Sequence, residues 1–344
     1  MYKKLVKKTV SSCHAYFRRK SMRKRAVTRA ELSCHTWLDR VNRFLDPWEW
    51  IDNAMKAGVR AIVIAMTGFQ DVSVLEAAAR DMEELRRKAK QETLDFKVIY
   101  GMETMLENGS LVNLLAKSQM GLEELYRLAE IVWQNREKRP FLRKSEINRH
   151  RDGLLVGCPG KDGEVYRRIL KNLDDACLEE IAGFYDYLSV LPPQHYQTQF
   201  KLGSPLCGIP FRAEDMICRI VALGKKAGKP IVALGNARTA NQDWGMFRTS
   251  ANYNILKTEG FDLNWDEPKN SILCEMLKEE NLEWDGDTFL PDPLYAEELL
   301  DFFSFLGKDA AEEIVIHAPN RLVDLCEELR VFPNLEVCKP RNNR

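Results

Sequence analysis

The chain has 344 residues and a mass of 39.7 kDa, which suits one large domain or two small ones. A 45% hydrophobic fraction can fill a core and 30% charged residues keep the surface wet, which excludes a disordered chain, a collagen-like chain and a small disulfide scaffold. The net charge of zero hides an asymmetry: residues 1–30 hold eleven Lys and Arg and no acid, so the remainder carries a net charge of −11.

The basic arm suits contact with nucleic acid or an anionic surface, and equally a disordered solubilising leader. It has the Ser and Arg of an import peptide but no clear cleavage site, and no apolar core of a secretory signal. The longest clean apolar run, Ala61–Met66, is far short of the ~20 residues a membrane helix needs. Nine cysteines without a C-x-x-C pair point to reduced thiols and a cytoplasmic protein.

In chain order, Ala30–His35 reads as a strand. Asp46-Pro47 looks like an N-cap followed by Pro at the first helical position, opening a helix over Trp48–Ala57 that Gly58 stops. Ala61–Met66 is a continuous apolar run of strand length, hence a buried strand. Val72–Gln91 is a long amphipathic helix, Lys97–Met105 and Leu111–Ala116 are strands, and Leu122–Trp133 is a helix. A strand follows at Gly153–Gly157, then helices at Glu164–Leu170 and Leu178–Phe184. Tyr185–Leu191 is a strand ended by Pro192-Pro193. Ala213–Ala227 is a helix capped by Gly228, and Pro230–Leu234 is a strand. From Asn241 onward the chain is more helical, with helices over Leu299–Leu306 and Ala310–Ile316.

Strand and helix alternating six or more times predicts a parallel α/β architecture, and a closed barrel rather than two open sheets. Chemistry in such barrels sits where strands end at their C-terminal side. The residues to inspect are Ser33-Cys34-His35, Met66-Thr67-Gly68, Glu103, the loop Cys158–Gly163 and Asn236–Arg238. They include one His and few acids, unlike a multi-metal hydrolase.

Glu31-Leu32-Ser33-Cys34-His35-Thr36 resembles the opening E-L-H-x-H-T of the polymerase and histidinol phosphatase (PHP) domain, and more narrowly that domain in the PolC-type DNA polymerase III α subunit of Gram-positive bacteria. Six later segments resemble the same domain in the same order: Lys97–Glu103, Leu114–Lys117 followed by Gly121–Leu128, Gly153–Glu164, Phe184–Val190, Val232–Asn236 and Asp301–Gly307. The resemblance implies a distorted seven-stranded (β/α)7 TIM-like barrel with a helical C-terminal extension. Its expected layout is a basic, flexible arm over 1–24, the barrel over 25–330 and a tail over 331–344. The family's exonuclease insertion falls near Glu107–Gly109, where this chain passes straight through. Palm, fingers and thumb are not in this chain, so by itself it is expected to be neither a polymerase nor a proofreading exonuclease.

Intact members of the family hold a cluster of metal ions that activates water for phosphoester hydrolysis. Carried over by position, His35 and Glu103 are retained metal ligands. The other positions read Ser33, Asn42, Met66, Thr67, Trp133, Gly160 and Arg238. Ser and Asn are weak ligands, Met suits soft metals, Trp and Gly offer none, and Arg has no lone pair to give. Two ligands do not make a tight zinc site, which wants three or four. No cofactor is therefore expected, at most one weakly bound Zn or Mn. Trp48, Trp50 and Trp133 are expected to pack, and Cys34 and Cys158 to be buried thiols.

These readings imply a degenerate PHP-domain protein that binds or scaffolds without catalysis. The resemblance implies a replication protein as partner, with nucleic acid on the arm and no membrane. One alternative is a residual metal-dependent phosphoesterase using His35, Glu103, Asp39 and Cys158. Another is a sensor of phosphate or nucleotide built on Arg238, whose planar fork suits anions.

Overall fold

Seven short segments rich in Val, Ile and Leu pair side by side in chain order to form one sheet. The structure, a computed structural model, describes residues 28–32, 54, 58–65, 96–135, 141–171, 174–196, 212–235 and 296–329. The strands are β1 (Arg29–Glu31), β2 (Val59–Ala65), β3 (Lys97–Met105), β4 (Leu111–Ala116), β5 (Leu154–Cys158), β6 (Tyr187–Val190) and β7 (Ile231–Ala233). Of the helix expected over 48–57 the structure describes Ala54, which is helical and buried; the helix expected over 72–91 and the end of the first expected strand lie outside the described residues.

The sheet is not all parallel, as the alternation had predicted. β1, β2 and β3 run parallel, as do β5, β6 and β7, but β4 is antiparallel to both its neighbours. The cause is the link between β3 and β4. A parallel crossover needs a dozen residues or more, and Leu106–Ser110 supplies a tight turn instead. The Leu106 amide donates to the Ser110 carbonyl at 2.7 Å, and the Gly109 amide to the Leu106 carbonyl at 2.8 Å. Gly109 has φ 79°, a conformation that favours glycine. The Asn108 side chain accepts from the Ser110 amide at 2.9 Å. The chain does pass straight through at Glu107–Gly109.

Helix α1 (Gln119–Gln134) climbs beside β3, β4 and β5. It starts three residues before the expected Leu122 because the Ser118 hydroxyl caps it, accepting from the Gly121 amide at 3.2 Å. Its buried Leu122, Leu125 and Leu128 each contribute about 1.5–3 kcal/mol of burial. A short helix, α2 (Lys144–Arg149), has no counterpart in the sequence reading. Then come α3 (Glu164–Leu170), α4 (Asp175–Gly183) and α5 (Ala213–Lys226), close to the expected bounds.

The C-terminal part holds α6 (Ala296–Phe302), a 3-10 turn at Ser304–Leu306, and α7 (Lys308–Glu312). A π-turn over Glu313–His317 then leads into α8 (Ala318–Asp324). The helix expected over 299–306 is thus split, and the one expected over 310–316 runs on through Pro319, tolerated in the first turn of α8. This segment is part of the barrel's construction. The Arg60 guanidinium pairs with Asp324 at 2.6 Å, Lys97 Nζ donates to the Cys326 carbonyl at 3.2 Å, and the Glu327 amide donates to the Lys117 carbonyl at 2.8 Å. Asn320 donates to the Thr28 carbonyl at 3.0 Å. The partners lie where β1, β2 and β3 begin and β4 ends, so the C-terminal segment covers the base of the sheet.

A closed ladder was expected. Among the described residues, β1 and β7 share no ladder pairing. Side chains join them instead. The Glu31 carboxylate accepts from the Gly235 amide at 3.0 and 3.3 Å and from Arg29 Nη2 at 2.8 Å. Arg29 Nη2 also reaches the Ala233 carbonyl at 3.5 Å. Both side chains are fully buried. The described sheet is a curled half-barrel whose end strands are clipped by a buried ion pair.

Candidate functional site

The ladder register sorts the strand residues onto two faces. Met102, Leu114 and Val156 are paired in a row, as are Cys158, Leu188 and Ile231. Ile231 lies against Gly224 of α5, so close that a Cβ there would stand 2.1 Å from Ile231 Cδ1. This face therefore looks outward to the helices. The opposite face carries the row Glu103, Asn113, Gly157 and Tyr187, with Ser189 and Val232 beside it.

Glu103 lies on the inner face of β3 near its C-terminal end, half-buried. Its cross-strand neighbour is Asn113, also half-buried. Two positions along the row, Gly157 has no side chain because the Tyr187 phenol fills that space: a Cβ on Gly157 would meet Tyr187 Oη at 2.3 Å. Tyr187 is 1% exposed, its hydroxyl has no hydrogen-bond partner among the described residues, and burial pushes its pKa up. It is a neutral phenol at any ordinary pH.

The register separates Cys158 from Glu103. Cys158 follows Gly157, so it points to the outer face, under the first turn of α3. Its thiol, 3.9 Å from the Pro159 carbonyl, is pushed up to about 12 by burial, so it stays protonated. The buried thiol was expected. The residual site combining Glu103 with Cys158 is corrected, because strand alternation places them on opposite faces.

Gly160 packs against the neighbouring strand. A Cβ there would lie 2.6 Å from the Ser189 carbonyl oxygen and 2.7 Å from Tyr196 Oη and Val190 Cα. In this backbone the position has no room for a ligating side chain. Trp133 was expected to pack, but it lies on the last turn of α1 and is 66% exposed. The apolar face of α1 is taken by its leucines, so the register turns Trp133 outward. Among the described residues there is no group of three or more His, Cys, Asp or Glu arranged to hold a metal. Ser33, His35, Asn42, Met66, Thr67 and Arg238, with Cys34, Asp39, Trp48 and Trp50, lie outside the described residues.

The buried polar residue that the sequence reading missed as an organiser is Glu164, 5% exposed at the start of α3. It accepts from Asn108 Nδ2 at 2.8 Å and Tyr185 Oη at 3.0 Å, and pairs with Lys144 Nζ at 2.5 Å. Arg168 Nη2 stands 3.8 Å away. Four elements meet on this carboxylate, which fixes the β3–β4 turn against α2 and α3. An acid at a helix start was the available signal, since it suits the positive end of the helix dipole.

A seven-stranded half-barrel with Glu103 on its inner face does not by itself fix a family, and comparison with known proteins narrows this. Residues 32–191 of the chain match the PHP domain family. Among relatives, PolC-type DNA polymerase III of Halalkalibacterium halodurans is 29% identical over 222 residues, 64% of this chain and 14% of the relative. The PolC-type polymerase III of Clostridium perfringens is 26% identical over 265 residues, 76% of this chain and 16% of the relative. The chain thus spans about one-seventh of the length of these polymerases. Among solved structures, the lesion-specific endonuclease PfuEndoQ of Pyrococcus furiosus superposes on 63% of this chain and 49% of its own, at 12% identity and a TM-score of 0.33. That superposition is too loose to bear on fold or chemistry. No helix among the described residues is long and apolar enough to cross a membrane.

Proposed function

We propose that this PolC-like PHP domain is a cytoplasmic binding or scaffold protein of DNA replication that has lost most of the family's metal ligands and does not catalyse. One observation carries the reading. On the inner-face row Glu103–Asn113–Gly157–Tyr187, the side chains that suit a hard divalent metal are Glu103 and its neighbour Asn113, short of the three or four ligands a tight site needs. Gly160 is sealed by backbone, Cys158 faces the helices and Trp133 faces solvent. The described residues do not fit a metal cluster. Ser33, Asn42, Met66, Thr67 and Arg238, read from sequence, support the same view. Similarity to replication polymerases supports a replication partner, and the basic arm supports a nucleic-acid contact.

The test is elemental mass spectrometry of tag-free protein purified without chelator. Less than about 0.2 equivalents of Zn, Mn or Fe is expected, against the three or four ligands a tight site needs. One or more equivalents, lost in a His35→Ala/Glu103→Ala double variant, would refute the reading and restore a metal-dependent phosphoesterase. Phosphate raising the melting temperature of wild type but not of Arg238→Ala would instead establish the anion sensor, by mass action.

A further inference from the structure

We propose that the surface around the β3–β4 turn is a second nucleic-acid contact, in which Arg143, Arg167 and Lys171 track a phosphate backbone. Charge is the first observation. Residues 141–171 hold eight Lys and Arg against four Asp and Glu, in a body that is otherwise acidic. Placement is the second. Arg143 stands 3.9 Å from Glu107 on one side of the turn, and Arg167 flanks Gly109 on the other, with Nη1 3.4 Å from where a Cβ would be. Lys171 follows Arg167 by four residues, its amide bonded to the Arg167 carbonyl, so both side chains leave the same side of α3.

Neutralisation is the third observation. The buried Glu164 beneath the turn is taken by Lys144 and Arg168, and Arg151 is taken by Asp186 at 2.8 Å. Among the described residues the ion-pair contact of Arg143 is the long one to Glu107, and its side chain is half exposed. Arg167 and Lys171 are exposed and make no ion pair among the described residues. The turn itself lies low, because Gly109 has no side chain and Asn108 is folded inward onto Glu164. A rod-shaped polyanion can therefore lie across it and meet all three cations. Guanidinium forks suit phosphate oxygens, and the spread of the three cations suits successive phosphates better than one compact anion.

The inference extends the nucleic-acid part of the proposed function to a second surface, and its test is independent of metal content. Full-length protein is titrated into a fluorescein-labelled 25-base-pair DNA duplex from 50 to 200 mM NaCl, with anisotropy as readout. A variant with the ten Lys and Arg of 3–25 changed to Gln removes the arm's charge. It should retain binding with a salt slope of about −2.7, a loss of about 40-fold across that range, the mark of ~3 phosphate contacts. Adding Arg143→Glu, Arg167→Glu and Lys171→Glu should abolish the remaining binding, with the melting temperature unchanged because all three are exposed. If the arm variant binds no DNA, or the three reversals leave its affinity and slope unaltered, the inference is overturned.

Discussion

Removing the Glu31 carboxylate tests the clip between β1 and β7. Glu31 and Arg29 are fully buried and paired at 2.8 Å, and Glu31 also takes the Gly235 amide at 3.0 Å. Glu31→Ala takes away the carboxylate that serves both partners. Breaking a buried pair from one side costs about 3–5 kcal/mol, because a charge is left without its counter-charge in a medium that solvates it poorly. At about 2 °C per kcal/mol for a large domain, the melting temperature should fall by about 6–10 °C. Replacing both residues, as Arg29→Met/Glu31→Leu, should recover most of that loss, since apolar packing of similar volume can match a buried pair. Urea unfolding followed by circular dichroism measures all three proteins, read as shifts in midpoint at constant slope. A Glu31→Ala protein within about 1 kcal/mol of wild type would refute the clip. So would a double variant as unstable as the single one, since the cost would then not lie in the broken pair.

Tyr187→Phe deletes a buried hydroxyl that has no partner, so it should leave stability unchanged or raise it by up to about 1 kcal/mol; a loss above that in the same urea assay would show that the hydroxyl is bonded. Gly157→Ala drives a methyl into the Tyr187 phenol, and overpacking of this kind should cost about 1–3 kcal/mol, most of it recovered in Gly157→Ala/Tyr187→Leu. Thiol labelling at pH 8 should modify the exposed Cys177 and Cys218 while the buried Cys158 and Cys326 react only after unfolding; equal rates would contradict the burial. The Cys158 thiol is raised from 9.0 to about 12 in the folded protein, so its contribution to stability is fully present below pH 9 and is lost as pH rises towards 12. Urea midpoints should therefore fall over that window, and less steeply in Cys158→Ala.

How much could be read in advance follows from where the information sits. β3 and β4 came out at their expected bounds because each is a continuous β-prone run beside turn residues, and Asn108-Gly109 marks the turn between them. The direction of β4 was legible too, since a five-residue link forbids a parallel crossover, but counting strand–helix alternation overrode it. Helix α2 escaped because it has six residues and one buried apolar side chain, Ile147; its start is fixed by Glu146 accepting from the Arg143 amide at 2.9 Å, a local cap with no periodic signal. The clip between β1 and β7 escaped because it pairs residues 204 apart, and no local pattern announces such a contact. At the candidate site, Glu103 was legible from the resemblance. The orientation of Cys158 was not, because being two residues from Gly160 says nothing about face until the register of β5 is known.

On the proposed reading, the sheet must hold together without ions at its mouth. A metal cluster ties strand ends through shared ligands, and its binding energy is folding energy. Here the described strands are tied by other means. Glu31 clips the two ends of the sheet, Glu164 gathers the β3–β4 turn, α2 and α3, and the C-terminal segment ties the base of β1 to β4. The phenol of Tyr187 occupies the inner face where Gly157 leaves room. On the proposed reading these contacts are what allows Ser33, Asn42, Thr67 and Arg238 to stand at ligand positions without unfolding the domain. On that reading, a sheet held by its own side chains keeps its outer surface in shape, and a binding protein needs no more of the fold than that.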